Sequence, residues 1–478
     1  MNAALQPNTE RSECDFTHLD LPQQFQTLKA LYQAEPATPL KSRLTLLSNL
    51  KALLLTNQDR LADALSRDYG FRSDFDSVIC DLLPAVQHIN YTLKKLPKWV
   101  KPSKRHAGLM LFPSKVFVHY QPLGVVGVIV PWNFPIVLSI APVVTALAAG
   151  NRVMVKLSEH TPNTNGVLKS IFANFSDHVV CIEGEAEVAA EFSALPFDHL
   201  LFTGSTPVGK LVAKAAAPNL TPITLELGGK SPVIIAPDVD LVAAADAIML
   251  GKSINAGQIC VAPDYVLLPK GKEREFIDIY LGRFKRAYMK KNKEPQITHI
   301  INETQRQRLQ QYIEDAKEKG ALVDTLQDCE AQGREMLPHL LSNVSEEMLV
   351  CQHEIFGPIL PVKTYESLNE AINYVNNKPR PLALYLMSND KTTKDKILAE
   401  THSGTTGINE TLLQIAAEDA PFGGVGQSGM GRYHGIEGFQ TFSHAKTVLD
   451  SPSWLPRSKW ALRYKALMSK ALSRLFLR

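Results

Sequence analysis

The sequence predicts an α/β protein built from two parallel-sheet domains and a small projecting hairpin, and three observations predict it. Five short β-rich runs (Val125 to Val130, Arg152 to Lys156, Val179 to Ile182, His199 to Phe202, Ile223 to Leu225) alternate with helix-like stretches. That alternation is the pattern of a parallel sheet with crossover helices. A second region of the same kind begins after Gly229, with apolar runs at Pro232 to Ile235 and Tyr265 to Leu268 and a charged helix from Glu303 to Lys319. At 478 residues the chain exceeds one ordinary core, and a domain per roughly 150 residues suggests two or three.

Taken in order, residues 17–96 read as helices, because Leu44, Leu47, Leu50, Leu54 and Leu55, then Leu61, Leu65, Ile79, Leu83, Val86 and Ile89, recur near helical spacing. This stretch belongs to the first segment of the first domain (1–103). The Pro-rich, basic stretch from Pro97 to Arg105 ends it, and the β-like run from Leu109 to Tyr120 is expected to form a hairpin, a bridging element (104–121) suited to subunit contact. The first domain resumes over 122–228. Gly228 and Gly229 mark the boundary to a second α/β domain (229–428), and 429–478 hold a further bridging segment and a basic tail. There is no internal repeat.

Composition narrows the function. A hydrophobic share of 45% and a charged share of 21% are those of a globular protein. Lys plus Arg (51) nearly balance Asp plus Glu (48), so no global field selects nucleic acid. The stretch from Met1 to Phe16 has no apolar core of a secretory signal, and no run is long enough to span a membrane, which makes the cytoplasm the expected compartment. Six scattered cysteines (Cys14, Cys80, Cys181, Cys260, Cys329, Cys351) form no CxxC pair and have no His cluster at zinc spacing. Neither a disulfide framework nor a metal is expected.

A few residues carry candidate chemistry. Cys260 follows Asn255-Ala256-Gly257-Gln258-Ile259, small and polar neighbours that leave a thiol accessible to substrate; the alternative is a small buried hydrophobe. Glu226 ends an apolar strand before two glycines, the place of a general base beside a ligand crevice or of an edge charge reaching solvent. Asn133, in Pro131-Trp132-Asn133-Phe134-Pro135, follows a strand directly, where its amide can donate to an oxyanion or simply form a turn. Lys156 and Glu159 end the next strand and suit ribose hydroxyls, or are solvated turn charges. Gly204, Ser205 and Gly209 surround a helix start that favours phosphate, although the middle glycine of GxGxxG is missing.

The combination of PWNFP, LELGGKSP, NAGQIC, His353-Glu354-Ile355-Phe356-Gly357-Pro358 and Pro421-Phe422-Gly423-Gly424-Val425-Gly426 resembles the aldehyde dehydrogenase superfamily, in the family's order and over roughly residues 40–450. Cys260-Val261-Ala262-Pro263-Asp264-Tyr265 and Gly429-Met430-Gly431-Arg432-Tyr433-His434-Gly435 are similar to its class 3 branch. Asp68-Tyr69-Gly70-Phe71-Arg72-Ser73 with Trp99 resembles the bacterial coniferyl aldehyde dehydrogenases within that branch.

The resemblance implies a Rossmann-like cofactor domain, a catalytic domain, a bridging hairpin and a homodimer. It implies Cys260 as nucleophile, Glu226 as general base, and Asn133 with the Cys260 N–H as oxyanion hole. Trp132, Lys156, Glu159, Gly204, Ser205 and Glu354 would contact NAD, or NADP, and Phe356 would pack near the nicotinamide. The implied reaction oxidises an aldehyde, coniferyl or another aromatic one, to the acid through a Cys260 thioester. Alternatives are a fatty or general aldehyde dehydrogenase, a CoA-acylating one, against which Glu226 argues, and a non-enzymatic structural protein.

The tail departs from the family's shared motifs. Beyond Asp450 there are seven basic residues and no acidic one. Read as one helix over Trp454 to Arg478, it places Trp460, Tyr464, Leu467, Ala471 and Leu475 on one face and Lys459, Arg463, Lys470 and Arg474 beside them. Such a helix fits peripheral contact with an anionic membrane, or packing on a partner subunit.

Overall fold

The computed structural model describes residues 20–289, 297–326 and 333–477. The readings made on Met1 to Phe16, Cys14 and Cys329 lie outside these residues.

All five predicted runs of the first region are strands of one six-stranded sheet. Its order is Gly429–Met430, Ile223–Leu227, His199–Gly204, Val125–Ile129, Arg152–Lys156, Val179–Ile182, parallel except for the first. The central strand shows why. Val125, Val126 and Val128 are fully buried, and such apolar runs are read only in strands covered on both faces. At roughly 1.5–3 kcal/mol per buried Val, misplacing this strand would be costly. The helices Leu40–Thr56, Gln58–Tyr69 and Leu83–Trp99 supply the cover that the leucine spacing predicted, with Leu47, Leu50, Leu54, Leu61 and Leu65 in the core.

The second region is a seven-stranded sheet ordered Leu322–Asp324, His339–Ser342, Ile359–Tyr365, Tyr265–Pro269, Pro232–Ile235, Ala383–Met387, Thr405–Ile408. Only its first pairing is antiparallel. The two apolar runs read from sequence, Pro232 to Ile235 and Tyr265 to Leu268, fall in its adjacent strands Pro232–Ile235 and Tyr265–Pro269.

The bridging element differs from expectation. Gly108–Leu111 is a helical turn, and the strand begins only at Lys115. Gly108 takes φ +69°, and Pro113 lacks the N–H that a ladder needs. Lys115–Pro122 pairs with Ser103–Arg105 on one side and, across its whole length, with Ser443–Asp450 on the other. The element is a three-stranded antiparallel sheet whose third strand comes from the far end of the chain.

The tail is also corrected. It forms two helices, Arg457–Arg463 and Lys465–Phe476, broken at Tyr464, whose φ −120° and ψ 35° are not helical. The single 100° wheel therefore does not run through the tail. Arg457 fixes the first helix separately: its guanidinium donates to Leu111 O and Phe112 O, each at 2.5 Å, and to Ser114 Oγ at 2.6 Å. No helix among the described residues is long and apolar enough to cross a membrane.

Candidate active site

The carboxyl ends of the six-stranded sheet open onto a cavity of about 1280 Å³ that also touches the seven-stranded region. All ten residues expected to act in catalysis or to contact the cofactor line it.

Cys260 sits on a turn built by the segment before it. Asn255, Ala256 and Gly257 take φ of +49°, +52° and +72° in succession. Left-handed geometry at a residue such as Ala costs of order 1–3 kcal/mol and needs support from outside. The support is a web of hydrogen bonds. Asn255 N donates to Asp76 Oδ2 at 3.0 Å, Gln258 Nε2 donates to Asn255 O at 2.9 Å and His299 O at 3.1 Å, and Gln258 Oε1 accepts from Ile301 N at 3.0 Å. At Gly257 a Cβ would stand 2.7 Å from Gly357 O, so only glycine fits.

Asn133 is buried, and its Nδ2 donates to Gln258 O at 3.2 Å, a long bond that an incoming oxyanion can replace. Its own carbonyl is clamped by three donors: Arg72 Nη1 at 2.9 Å, Asn255 Nδ2 at 3.1 Å and Tyr69 OH at 3.2 Å. Arg72 is fully enclosed, its guanidinium 4.8 Å from the Tyr69 ring centre and 4.9 Å from that of Phe134, and paired with Asp81 at 3.6 Å.

Glu226 ends the strand Ile223–Leu227 at 4% exposure, and both carboxyl oxygens are buried with no hydrogen-bond partner among the described residues. Burial lifts its pKa well above the ordinary carboxylate value. Glu354 behaves similarly: burial, partly countered by the Gly229 N–H, raises it to about 8. Its carboxyl packs over Gly228, where a Cβ would lie 2.1 Å from Oε2. Burial first, then the charges of Glu354 and Glu226, push the Cys260 thiol up to about 12. A carboxylate freed of its proton is the group able to take one from the thiol or from water.

The other candidates line the sheet end where a dinucleotide fits. Lys156 Nζ donates to Glu159 Oε2 at 2.9 Å; burial raises Glu159, but that bond, a backbone N–H and the nearby positive charge together leave the carboxyl below its ordinary value. The pair presents an ammonium and a carboxylate to one diol. Ser205 precedes the helix Thr206–Ala216, and no side chain caps its first N–H groups, which leaves them available to a phosphate. Gly209 lets that helix close on Leu227, 2.6 Å from where a Cβ would be. Trp132 and Phe356, both lining the cavity, meet edge to face at 5.3 Å.

Sequence reasoning missed several residues. Tyr69, Arg72 and Asn255 lay inside segments quoted for resemblance, but nothing in their spacing marks them as the clamp on Asn133. Lys252 is buried and lowered to about 8, chiefly by burial. Lys230 pairs with Asp264 and donates to Val350 O at 2.7 Å and His353 O at 2.8 Å, while Asp264 accepts from Ile355 N at 2.9 Å. Together they fix the turn that carries Glu354.

Comparison with known proteins agrees with this geometry. The aldehyde dehydrogenase family model matches residues 5–448. A probable coniferyl aldehyde dehydrogenase of Pseudomonas aeruginosa is 48% identical over 456 residues, covering 95% of this chain and 96% of that protein. A coniferyl aldehyde dehydrogenase of another Pseudomonas is 45% identical, covering 88% of each chain. The substrate-bound structure of Staphylococcus aureus AldH superposes with a TM-score of 0.87 at 34% identity, covering 93% of this chain and 98% of that one. The chain belongs to the aldehyde dehydrogenase family and is an NAD(P)-dependent oxidoreductase acting on aldehydes.

Proposed function

We propose that the chain oxidises a hydroxycinnamyl-type aromatic aldehyde, coniferyl aldehyde foremost, to its carboxylic acid through a thioester on Cys260. The observation that carries the chemistry is the meeting of a thiol, an unpartnered buried carboxyl and a clamped amide at one end of a dinucleotide-sized cavity. The substrate rests on the names of the two Pseudomonas relatives.

In this reading Cys260 Sγ, having lost its proton, adds to the aldehyde carbon. The Asn133 amide and the Cys260 N–H receive the resulting oxyanion, a donor type worth roughly 3–4 kcal/mol. Lys156, Glu159, Gly204, Ser205 and Glu354 would hold NAD(P) against Trp132 and Phe356, and when bound it would supply the acceptor for the hydride leaving the aldehyde carbon, whose loss leaves a thioester on Cys260. Glu226 then takes a proton from water as its oxygen attacks the acyl carbon, the C–S bond breaks, and the acid leaves. Glu159 favours NAD, since an ionised carboxylate repels a 2′-phosphate; among relatives, a canine enzyme is named as dimeric and NADP-preferring.

A kinetic panel of coniferyl, simple aromatic and fatty aldehydes with both cofactors tests the reading, with and without CoA. The highest kcat/KM for coniferyl aldehyde, with free acid released regardless of CoA, is expected. A preference for fatty aldehydes, or acyl-CoA as product, would overturn it.

We further propose a homodimer that uses the three-stranded sheet, whose outer strand Ser443–Asp450 lies at the sheet edge and is exposed along most of its length. Light scattering should give twice the chain mass. The basic tail is proposed to touch anionic membranes. Arg457 sets it beside the loop that bears Leu109, Met110 and Phe112, which are 70%, 59% and 73% exposed, so two elements present apolar side chains together.

A further inference from the structure

Away from the cavity, three side chains that the proposed chemistry does not use converge. His88 lies on the helix Leu83–Trp99, Glu418 on the loop after Leu413–Ala416, and His434 just before the helix Gly435–Thr441. One ring nitrogen of each histidine and a carboxylate oxygen of Glu418 lie within 4.8 Å of one another. His88 and His434 are 2% and 9% exposed, with ring centres 5.5 Å apart. His434 also holds φ +81° and ψ 153°, a region used almost only by glycine.

The hydrogen bonds leave this cluster one cation short. Thr145 Oγ1 donates its single proton to Ala141 O at 2.8 Å, so toward His88 Nε2, at 2.9 Å, it is an acceptor. That places the His88 proton on Nε2 and turns the Nδ1 lone pair toward Glu418 Oε2, a second acceptor 2.7 Å away. Nδ1 of His434 is buried with no hydrogen-bond partner among the described residues. A proton between His88 and Glu418 satisfies two acceptors and leaves His434 orphaned. A metal ion satisfies all three.

We infer that His88, Glu418 and His434 form a binding site for a divalent transition-metal ion of the zinc type. Two imidazoles and one carboxylate, with water completing a tetrahedron, are a fitting donor set. Thr145 plays the part of the outer partner that fixes a ligating histidine. The ion would tie the helix Leu83–Trp99 to the loop at Glu418 and to His434, beside the buried Tyr433. No spacing pattern reveals the site, because His88 and Glu418 are 330 residues apart.

The test uses full-length protein stripped with a chelator, dialysed, and titrated with Co²⁺ and then Zn²⁺. One tightly bound equivalent is expected, with the visible bands of four-coordinate Co²⁺ and no thiolate charge-transfer band, displaced by Zn²⁺ and accompanied by a rise in Tm. Glu418→Gln and His434→Ala should lose it, and Thr145→Val should weaken it by roughly 10- to 100-fold. Cys260→Ala should keep it, which separates the site from capture by the catalytic thiol. Far-ultraviolet circular dichroism in chelator shows that each variant is folded. Absence of a bound equivalent in the wild type overturns the inference. So does retention in both Glu418→Gln and His434→Ala, or loss in Cys260→Ala.

Discussion

Replacing Arg72 with Met should both destabilise the fold and slow the reaction, and the geometry sets the size of each effect. The Arg72 guanidinium is sealed between Tyr69 and Phe134, donates to the Asn133 carbonyl at 2.9 Å and is the cation facing Asp81. Met fills much of the space but leaves Asp81 buried without its partner, a loss of roughly 3–5 kcal/mol. The pH dependence has a definite sign. Burial raises Asp81 from 3.8 to about 6 even though Arg72 pulls it down. A carboxyl raised on folding contributes stability that is fully present below its unfolded value and lost as pH climbs through the folded one. That rise corresponds to about 3 kcal/mol, since a tenfold change in proton affinity is worth roughly 1.4 kcal/mol. Without Arg72 the folded value moves higher still, so the loss continues past pH 6. Urea unfolding midpoints of wild type and Arg72→Met, measured at pH 5 and pH 8, should therefore differ more at pH 8. With one of the three donors to the Asn133 carbonyl removed, kcat should fall by up to about 10²-fold, the cost of displacing a catalytic group by about 1 Å. A larger midpoint difference at pH 5 than at pH 8, or unchanged kcat, would refute this reasoning.

Asn133→Ala should lower kcat by roughly 10²–10³ with NAD binding intact, since one oxyanion donor is removed; a loss confined to KM would contradict that role. In protein without cofactor, alkylation of Cys260 by iodoacetamide, followed by mass spectrometry of its peptide, should rise about tenfold per pH unit from pH 7 to 9, because the thiol is held at about 12 and only the thiolate reacts. A plateau below pH 8 would show a thiolate already formed. Deleting residues 454–478 should reduce co-sedimentation with anionic liposomes, and salt should weaken the binding of the full chain. Full-length protein that stays in the supernatant at low salt would make the tail a packing element.

Five strands of the six-stranded sheet and two of the seven-stranded sheet were legible because they are short apolar runs, as at Val125–Ile129 and Pro232–Ile235, while the remaining strands were not singled out. The bridging sheet was only half legible. Ser443–Asp450 is an edge strand without strong alternation, and its partner Lys115–Pro122 lies more than 300 residues away in sequence. The tail broke at Tyr464 because one residue leaving helical geometry gives no compositional signal. At the site, Cys260, Glu226 and Asn133 were singled out because each sits at the end of a strand or beside glycines, and the family resemblance assigned their roles. Arg72 and Tyr69 were not, because a clamp on a backbone carbonyl is set by packing between distant segments. The His88, Glu418 and His434 cluster escaped for the same reason.

The central claim is a thioester on Cys260 hydrolysed with Glu226 as base, and Glu226→Gln tests it most directly. Mixing this variant with coniferyl aldehyde and NAD should give a burst of NADH stoichiometric with enzyme, followed by a weak steady state. Quenching during that steady state and digesting the protein should place the acyl mass on the Cys260 peptide, and Cys260→Ala should show neither burst nor adduct while still binding NAD. A Glu226→Gln enzyme with wild-type turnover and no burst, or a Cys260→Ala enzyme that still forms NADH, would contradict the account.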